Sequence, residues 1–343
     1  MSAHELTDTL RAVFADHPAD IADGFPVKLW ATLDDLGVTR LTLPEAAGGS
    51  GGELTDAAAL LLAAGAAAAP VPLADTDLLA GWLLHASGLP VPGGGPLTVV
   101  VPGPGAVTVD GSILTGALDR VGWARQAVRI VVLDGDRVYS VDPSAAGVSV
   151  VEGANLAGEP RDRVLLDGVV AEAADAVPNA GELLLRRAAL ARALLMAGAG
   201  GTALRQSVQY AGEREQFGRP IGNFQAIQQQ LALAAAEVAA ARAAVDAATR
   251  IAAESDFAGD DAGFAVAVAK ARAGEMAGAV TTIAHQVHGA IGFTQEHSLR
   301  LATTRLWAWR EENGDETHWN GEVARRALAA GPDGLWPLLT RSS

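Results

Sequence analysis

The chain has 343 residues, with 40 acidic and 25 basic side chains, a formal net charge of -15, half of its residues hydrophobic and no cysteine. Length points to two or three domains, and the apolar content excludes a disordered chain. The charge argues against nucleic-acid binding, which needs a basic face, and the missing thiols exclude disulfides, thiolate catalysis, Fe–S clusters and Cys-ligated zinc.

The first 20 residues carry charges throughout and no apolar signal core. The oiliest stretch, Ala57–Leu73, is mostly alanine, includes Gly65 and Pro70, and is too short and weakly apolar for a bilayer core of about 30 Å. No membrane insertion and a soluble, cytoplasmic protein are expected.

In chain order, residues 1–92 read as a helical domain. Leu6, Leu10 and Phe14 recur every fourth position, and Val27–Leu36, Leu54–Ala69 and Asp75–Ala86 continue the helical pattern. Val38–Leu43 is a short β-branched stretch before Pro44 and the run Gly48–Gly52. The run Gly88–Pro96 breaks any regular element. Residues 93–175 read as a small β domain, a barrel or antiparallel sheet, with strand-like runs at Leu97–Val101, Ala106–Val109, Val128–Leu133, Val138–Val141, Val148–Val151 and Arg163–Val170. A second boundary spans Glu172–Asn179. Residues 176–343 read as a helical bundle of four-helix type, where Leu231, Val238 and Val245 mark one face and abundant alanine permits close helix approach. The fold class is therefore α+β.

Several motifs carry candidate chemistry. Gly48–Gly52 fits G-x-S-x-G, but Pro44–Ala47 separates it from any strand, so a flexible surface or gating loop is the simpler expectation than a nucleophile elbow. His285 and His288, three apart, lack a third ligand, and a surface or core role is expected. Trp307, Trp309, Trp319 and Trp336 read as core or interface. The segment Arg214-Glu-Gln-Phe-Gly-Arg-Pro-Ile221, followed by Phe224-Gln225, interrupts two long helices. Its arginines suit either bidentate pyrophosphate binding or a plain surface turn. In His285–Thr294, Gly289 and Gly292 allow close backbone approach to a ligand, and Gln286 supplies an amide. Glu311, Glu312, Asp315 and Glu316 surround Gly314 as either a source of a general base or a solvated helix end.

Together these segments resemble the acyl-CoA dehydrogenase family. Arg214–Gln225 is similar to that family's Arg-x-Gln-Phe-Gly-x-Pro-Ile…Phe-Gln signature. Gln286–Phe293 resembles its Gln-x-x-Gly-Gly-x-Gly-Tyr/Phe motif, with Ala290 at the second glycine. Trp30–Gly52 resembles its N-terminal domain, and the order helical, β, helical is the family's. The resemblance implies FAD-dependent α,β-desaturation of an acyl-CoA thioester, with a carboxylate taking the α-proton and the flavin taking hydride. It implies that Arg214, within the motif that includes Gln216, contacts FAD phosphates of a neighbouring subunit. Phe217 and Gln225 would flank the adenine end, and Gln286 and Gly289, with Ala290 beside them, would meet the dinucleotide from the other side.

Two departures qualify this expectation. The family's catalytic Glu, counted from Phe293, falls on Asn313, which has no basic carboxylate; Glu312 and Asp315 are nearby acids. The alternative family position falls near Ala188–Ala189. The family's Thr-Glu…Gly-Ser-Asp and Trp-Ile-Thr/Ser stretches, which contact the flavin ring, have no match in the β region. These point to a short subunit of a heteromeric enzyme, a heterotetramer with a longer acyl-CoA dehydrogenase subunit that holds most of the FAD and passes electrons to an electron-transfer acceptor. Such members act on steroid side chains or other bulky acyl-CoAs. The alternatives are a self-sufficient homo-oligomer using a nearby acid, and a flavin-free scaffold derived from the family.

Overall fold

A computed structural model describes residues 3–17, 24–174, 176–294 and 297–340. It divides into two compact units, one of residues 1–19, 58–69 and 189–343, the other of 20–57 and 70–188. These units cut across the expected regions 1–92, 93–175 and 176–343. The crossings at 57/58 and 188/189 fall within α3 (Leu54–Ala66) and α5 (Ala180–Glu213), and none falls at the Pro/Gly linker 88–96.

The first unit is helical. It holds α1 (Ala3–Ala15), most of α3 (Leu54–Ala66), most of α5 (Ala180–Glu213), α6 (Gln225–Ser255), α7 (Gly259–His288), α8 (Leu299–Arg310) and α9 (Glu316–Thr340). Leu6, Leu10 and Phe14 of α1 are buried, as their spacing predicts. Alanine and glycine set how closely these helices approach. A Cβ on Gly65 of α3 would lie 2.1 Å from the Leu195 carbonyl oxygen of α5, and one on Gly198 would lie 2.2 Å from that of Leu62. Only glycine permits this backbone-to-backbone contact. The helix α9 is kinked at Gly331, ahead of Pro332.

The second unit holds α2 (Val27–Asp35), a π-helical turn (Asp75–Gly81) running into α4 (Trp82–Ala86), and two four-stranded sheets. One sheet has the order β1 (Leu97–Val100), β4 (Arg129–Asp134), β5 (Arg137–Val141), β8 (Glu172–Ala173). The other has the order β2 (Val107–Asp110), β3 (Ile113–Gly122), β7 (Arg161–Val170), β6 (Val148–Val151). Leu114, Leu118 and Val164 from one sheet bury with Ile130, Val132 and Tyr139 from the other. The barrel alternative gives way to two open sheets, and β1 pairs with β4 in parallel rather than antiparallel. The ten-residue β3 was not legible because two register shifts, Gly116 at φ +146 and Arg120 at φ +56 interrupt its alternation. Of the Glu172–Asn179 boundary, Asp175 lies outside the described residues, and Glu172–Ala173 forms β8.

Val38–Leu43 is not a strand. Its backbone bonds to the glycine run instead: Ser50, Gly52 and Gly51 amides donate to the carbonyls of Arg40, Leu41 and Leu43 at 3.1, 2.8 and 2.9 Å. The glycine run is thus tied down rather than a loose gating loop. A Cβ at Gly49 would sit 2.1 Å from the Leu43 carbonyl oxygen. Ser50 Oγ donates to the Gly37 carbonyl at 2.6 Å, so it is bound to backbone rather than presented at a nucleophile elbow. From the π-helical turn, the buried Asp77 carboxylate accepts the Thr42 amide at 3.0 Å and its hydroxyl at 3.1 Å. Burial pushes this carboxyl up to about 7.

Candidate functional site

The expected dinucleotide motifs lie in the helical unit, at one end of its long helices. The helix α5 stops at Glu213, and the Arg214 amide still donates to Tyr210 at 2.8 Å. Two short strands, β9 (Glu215–Gln216) and β10 (Arg219–Pro220), pair antiparallel with Gln216 opposite Arg219. Phe217 and Gly218 form the two-residue turn, with φ +52 and +78. Positive φ at both positions is the hairpin geometry that suits strand twist; glycine adopts it freely and phenylalanine does so at a cost. The Ile221 amide closes the hairpin on the Arg214 carbonyl at 2.8 Å.

An apolar cluster clamps this hairpin to the end of α7. Ala211, Ile221 and Val287 are buried together, with Tyr210, Phe224, Ile227 and Ile283 against them. Ala211 and Ile221 bracket the hairpin, and Val287 follows Gln286, so the two sequence-distant motifs share one end of the bundle. The helix α7 ends at His288, Gly289 has φ +63, and a 3-10 turn runs over Gly289–Phe293.

Arg214, Gln216, Phe217, Gln225, Gln286, Gly289 and Ala290 are all exposed. Phe217 is 91% exposed, and its ring meets Phe224 edge-on at 6.2 Å. Arg219 stacks its guanidinium 4.3 Å from the Phe224 ring centroid. Arg214 makes no ion pair among the described residues. A strained, exposed aromatic beside an unpaired arginine fits a flat, anionic group, and the open space around Gly289, where a Cβ would touch nothing within 4 Å, leaves room for backbone approach. The dinucleotide end of FAD fits this donor set.

Of the surface or core roles expected for them, His288 is buried in the core and His285 is half-buried. His288 Nδ1 donates to the Ala284 carbonyl at 2.7 Å, and its ring stacks on Tyr210 at 4.6 Å. His285 Nε2 pairs with Thr303 Oγ1 at 3.1 Å, and its ring stacks on Phe293 at 4.2 Å. Burial holds both imidazoles below the usual histidine range. Among the described residues no group of three or more potential ligands is placed to hold a metal. The role of Tyr210 was not read from sequence, although it lies one helical turn before Arg214.

The turn between α8 and α9 contains Asn313, at φ +57, and Gly314, at φ +91. Asparagine is among the few side chains that tolerate this region. The Trp319 indole donates to the Asn313 carbonyl at 2.9 Å. Lys270 Nζ donates to the Gly314 carbonyl at 2.7 Å and to the Arg310 carbonyl at 2.9 Å. Glu312 forms an ion pair with Arg192 of α5 at 2.9 Å, with both side chains about one-tenth exposed. Glu316 pairs with Arg310 at 2.7 Å, and Asp315 accepts the His318 amide at 2.9 Å as a helix cap. Glu311 lies at the surface 3.8 Å from Arg310. The acidic cluster is thus committed to structure, and burial lowers the Lys270 ammonium to about 8. Arg192 and Lys270, which lock this turn, left no motif in the sequence. Ala188 and Ala189, at the other expected base position, are buried and carry no acid.

The order helical, sheet, helical, with two sequence-distant motifs gathered at one end of the bundle, is that of the acyl-CoA dehydrogenase fold, and comparison with known proteins agrees. Residues 180–327 match the acyl-CoA dehydrogenase C-terminal domain, and residues 2–90 match its N-terminal domain. Acyl-CoA dehydrogenase IpdE2 of Mycolicibacterium smegmatis is 31% identical over 290 residues, covering 81% of each chain. A solved steroid acyl-CoA dehydrogenase, the Tcur3481-Tcur3483 G363A variant, superposes with a TM-score of 0.83 at 29% identity, covering 95% of this chain and 98% of that one. The ChsE4-ChsE5 complex from Mycobacterium tuberculosis superposes with a TM-score of 0.85 at 26% identity, covering 96% and 98%. The chain belongs to the acyl-CoA dehydrogenase family, FAD-dependent oxidoreductases acting on acyl-CoA. No helix among the described residues is long and apolar enough to cross a membrane.

Proposed function

We propose that this chain is a subunit of a heteromeric acyl-CoA dehydrogenase, paired with a longer subunit of the same family that provides the catalytic carboxylate. The single observation that carries this reading is the Asn313 turn: the residue at the usual base position has no carboxylate, and the acid beside it, Glu312, is held by Arg192. That ion pair also argues against the self-sufficient alternative, because a base must be free to take a proton from substrate. The solved relatives ChsE4-ChsE5 and Tcur3481-Tcur3483, named as two-component assemblies, support a heteromeric arrangement. Likeness to Tcur3481-Tcur3483, a steroid enzyme, extends the reading to a bulky, steroid-type acyl-CoA.

Bound FAD supplies the hydride acceptor for α,β-desaturation. In this reading Arg214 grips the phosphates through its planar guanidinium, and Phe217 offers a flat apolar face to the adenine end. Gln216, Gln225 and Gln286 contribute amide hydrogen bonds. Gly289 and Ala290 keep the end of α7 low enough for close approach. An external acceptor would take up the electrons.

The test is co-expression of the chain with a longer acyl-CoA dehydrogenase subunit that has an intact catalytic carboxylate, against the chain alone. FAD content and acyl-CoA-dependent dye reduction are expected from the pair and not from the lone chain. Stoichiometric FAD and turnover by the lone chain would sink the proposal, and a colourless complex would favour the flavin-free scaffold.

A further inference from the structure

A second concave surface lies in the helical unit and shares no lining residue with the hairpin end. It is a cleft of about 840 Å³, bordered by α1, α3, α5 and α6. That volume is within the range of small-molecule sites. Its floor is made where α3 and α5 meet backbone to backbone. Ala63 and Ala66 of α3 and Ala197 of α5 present methyl groups, and Gly201 of α5 presents bare backbone. Phe14, Leu62 and Val238 add apolar walls.

The rim is cationic. Arg11, Arg205 and Arg242 reach it from three different helices, in a chain whose net charge is -15. Arg205 is held in place: its guanidinium donates to Thr202 Oγ1 at 2.7 Å, and that hydroxyl donates to the Ala66 carbonyl at 2.7 Å. Thr202 thereby anchors the arginine to the cleft floor. The carboxylates near the other two belong to their own helices, Asp8 to Arg11 at 3.3 Å and Asp246 to Arg242 at 2.9 Å. Exposed pairs of this kind contribute little and yield to a better-placed anion. The floor has no edge of donors and acceptors to read a nucleobase. A flexible aliphatic body suits it, with a charged head on the arginine rim.

We infer that this cleft binds a fatty-acid-like amphiphile, an aliphatic body ending in a carboxylate, at a site separate from the flavin end. Arg205 takes the carboxylate, and the alanine floor takes the chain.

The experiment uses the full chain with its co-expressed partner and cis-parinaric acid, a polyene carboxylate whose fluorescence rises in apolar surroundings. Its methyl ester serves as the uncharged control. Saturable binding is expected, with about tenfold weaker affinity in Arg205→Ala, as for loss of one charge-assisted contact. Ala63→Trp, which fills the floor, should abolish binding. Arg205 is exposed, so Arg205→Ala remains informative should the bulkier variant fail to fold. FAD content should be unchanged in Arg205→Ala, which separates this site from the proposed flavin role. Absence of saturable binding, equal affinity in Arg205→Ala, or ester binding as tight as the acid would overturn the inference.

Discussion

Lys270 Nζ donates to the carbonyl of Gly314 at 2.7 Å, joining the middle of α7 to the turn that carries Asn313. The lysine is 1% exposed, and it also holds the Arg310 carbonyl at the end of α8. The turn is therefore fixed from below by an ammonium, from one side by Trp319 and from another by the Arg192–Glu312 pair.

Lys270→Met should leave both carbonyls without their donor. A buried polar group left unsatisfied costs about 1–3 kcal/mol. Thermal unfolding of the variant should show a loss of that order, and an unchanged midpoint would contradict the role assigned to the lysine. Secondary structure by circular dichroism should remain near wild type.

Asp77 makes stability depend on pH. Its folded pKa is raised to about 7, so the proton is bound more tightly in the folded state than in the unfolded chain. The associated stability is complete below the unfolded value near 4 and is lost as pH rises through 7. Linkage sets the upper bound at roughly 4 kcal/mol. Asp77→Asn keeps an acceptor for the Thr42 amide and cannot ionise. Its unfolding midpoint should fall less than wild type between pH 4 and 8; parallel curves would refute the assignment.

Gly65 and Gly198 let α3 and α5 touch through their backbones. Gly65→Val would force these helices apart, with a cost of about 3 kcal/mol or more. The expected outcome is a large drop in soluble, cooperatively unfolding protein. Gly181→Ala serves as a control, since a Cβ there meets nothing within 4 Å.

Phe217 and Arg214 separate binding from folding. Both are exposed, so Arg214→Ala should change stability by less than about 0.5 kcal/mol. Phe217→Gly removes a side chain from a positive-φ position and should not destabilise the hairpin. In the complex with a partner, each variant should weaken FAD retention, by about tenfold for the arginine. Retention equal to wild type in both would remove this end from the cofactor site.

Much of the candidate site was legible because it is local. Arg214–Gln225 and Gln286–Phe293 are contiguous motifs, and their glycines announce where helices must stop. The helical repeats of α1 and α6 were equally direct, since one buried face every three or four residues is a pattern along the chain. The β region was harder. Irregular register hid β3, and the parallel pairing of β1 with β4 joins residues separated by β2 and β3.

By itself, the sequence determined the α+β order, the family motifs, and the absence of a carboxylate at position 313. Tertiary structure decided what the acids around that position do. Glu312 meets Arg192 from α5, and the Asn313–Gly314 turn meets Trp319 and Lys270. Whether a carboxylate is a free base or half of an ion pair depends on which charge lies within a few ångströms. For Glu312 that charge comes from 120 positions earlier in the chain, beyond the reach of any local pattern.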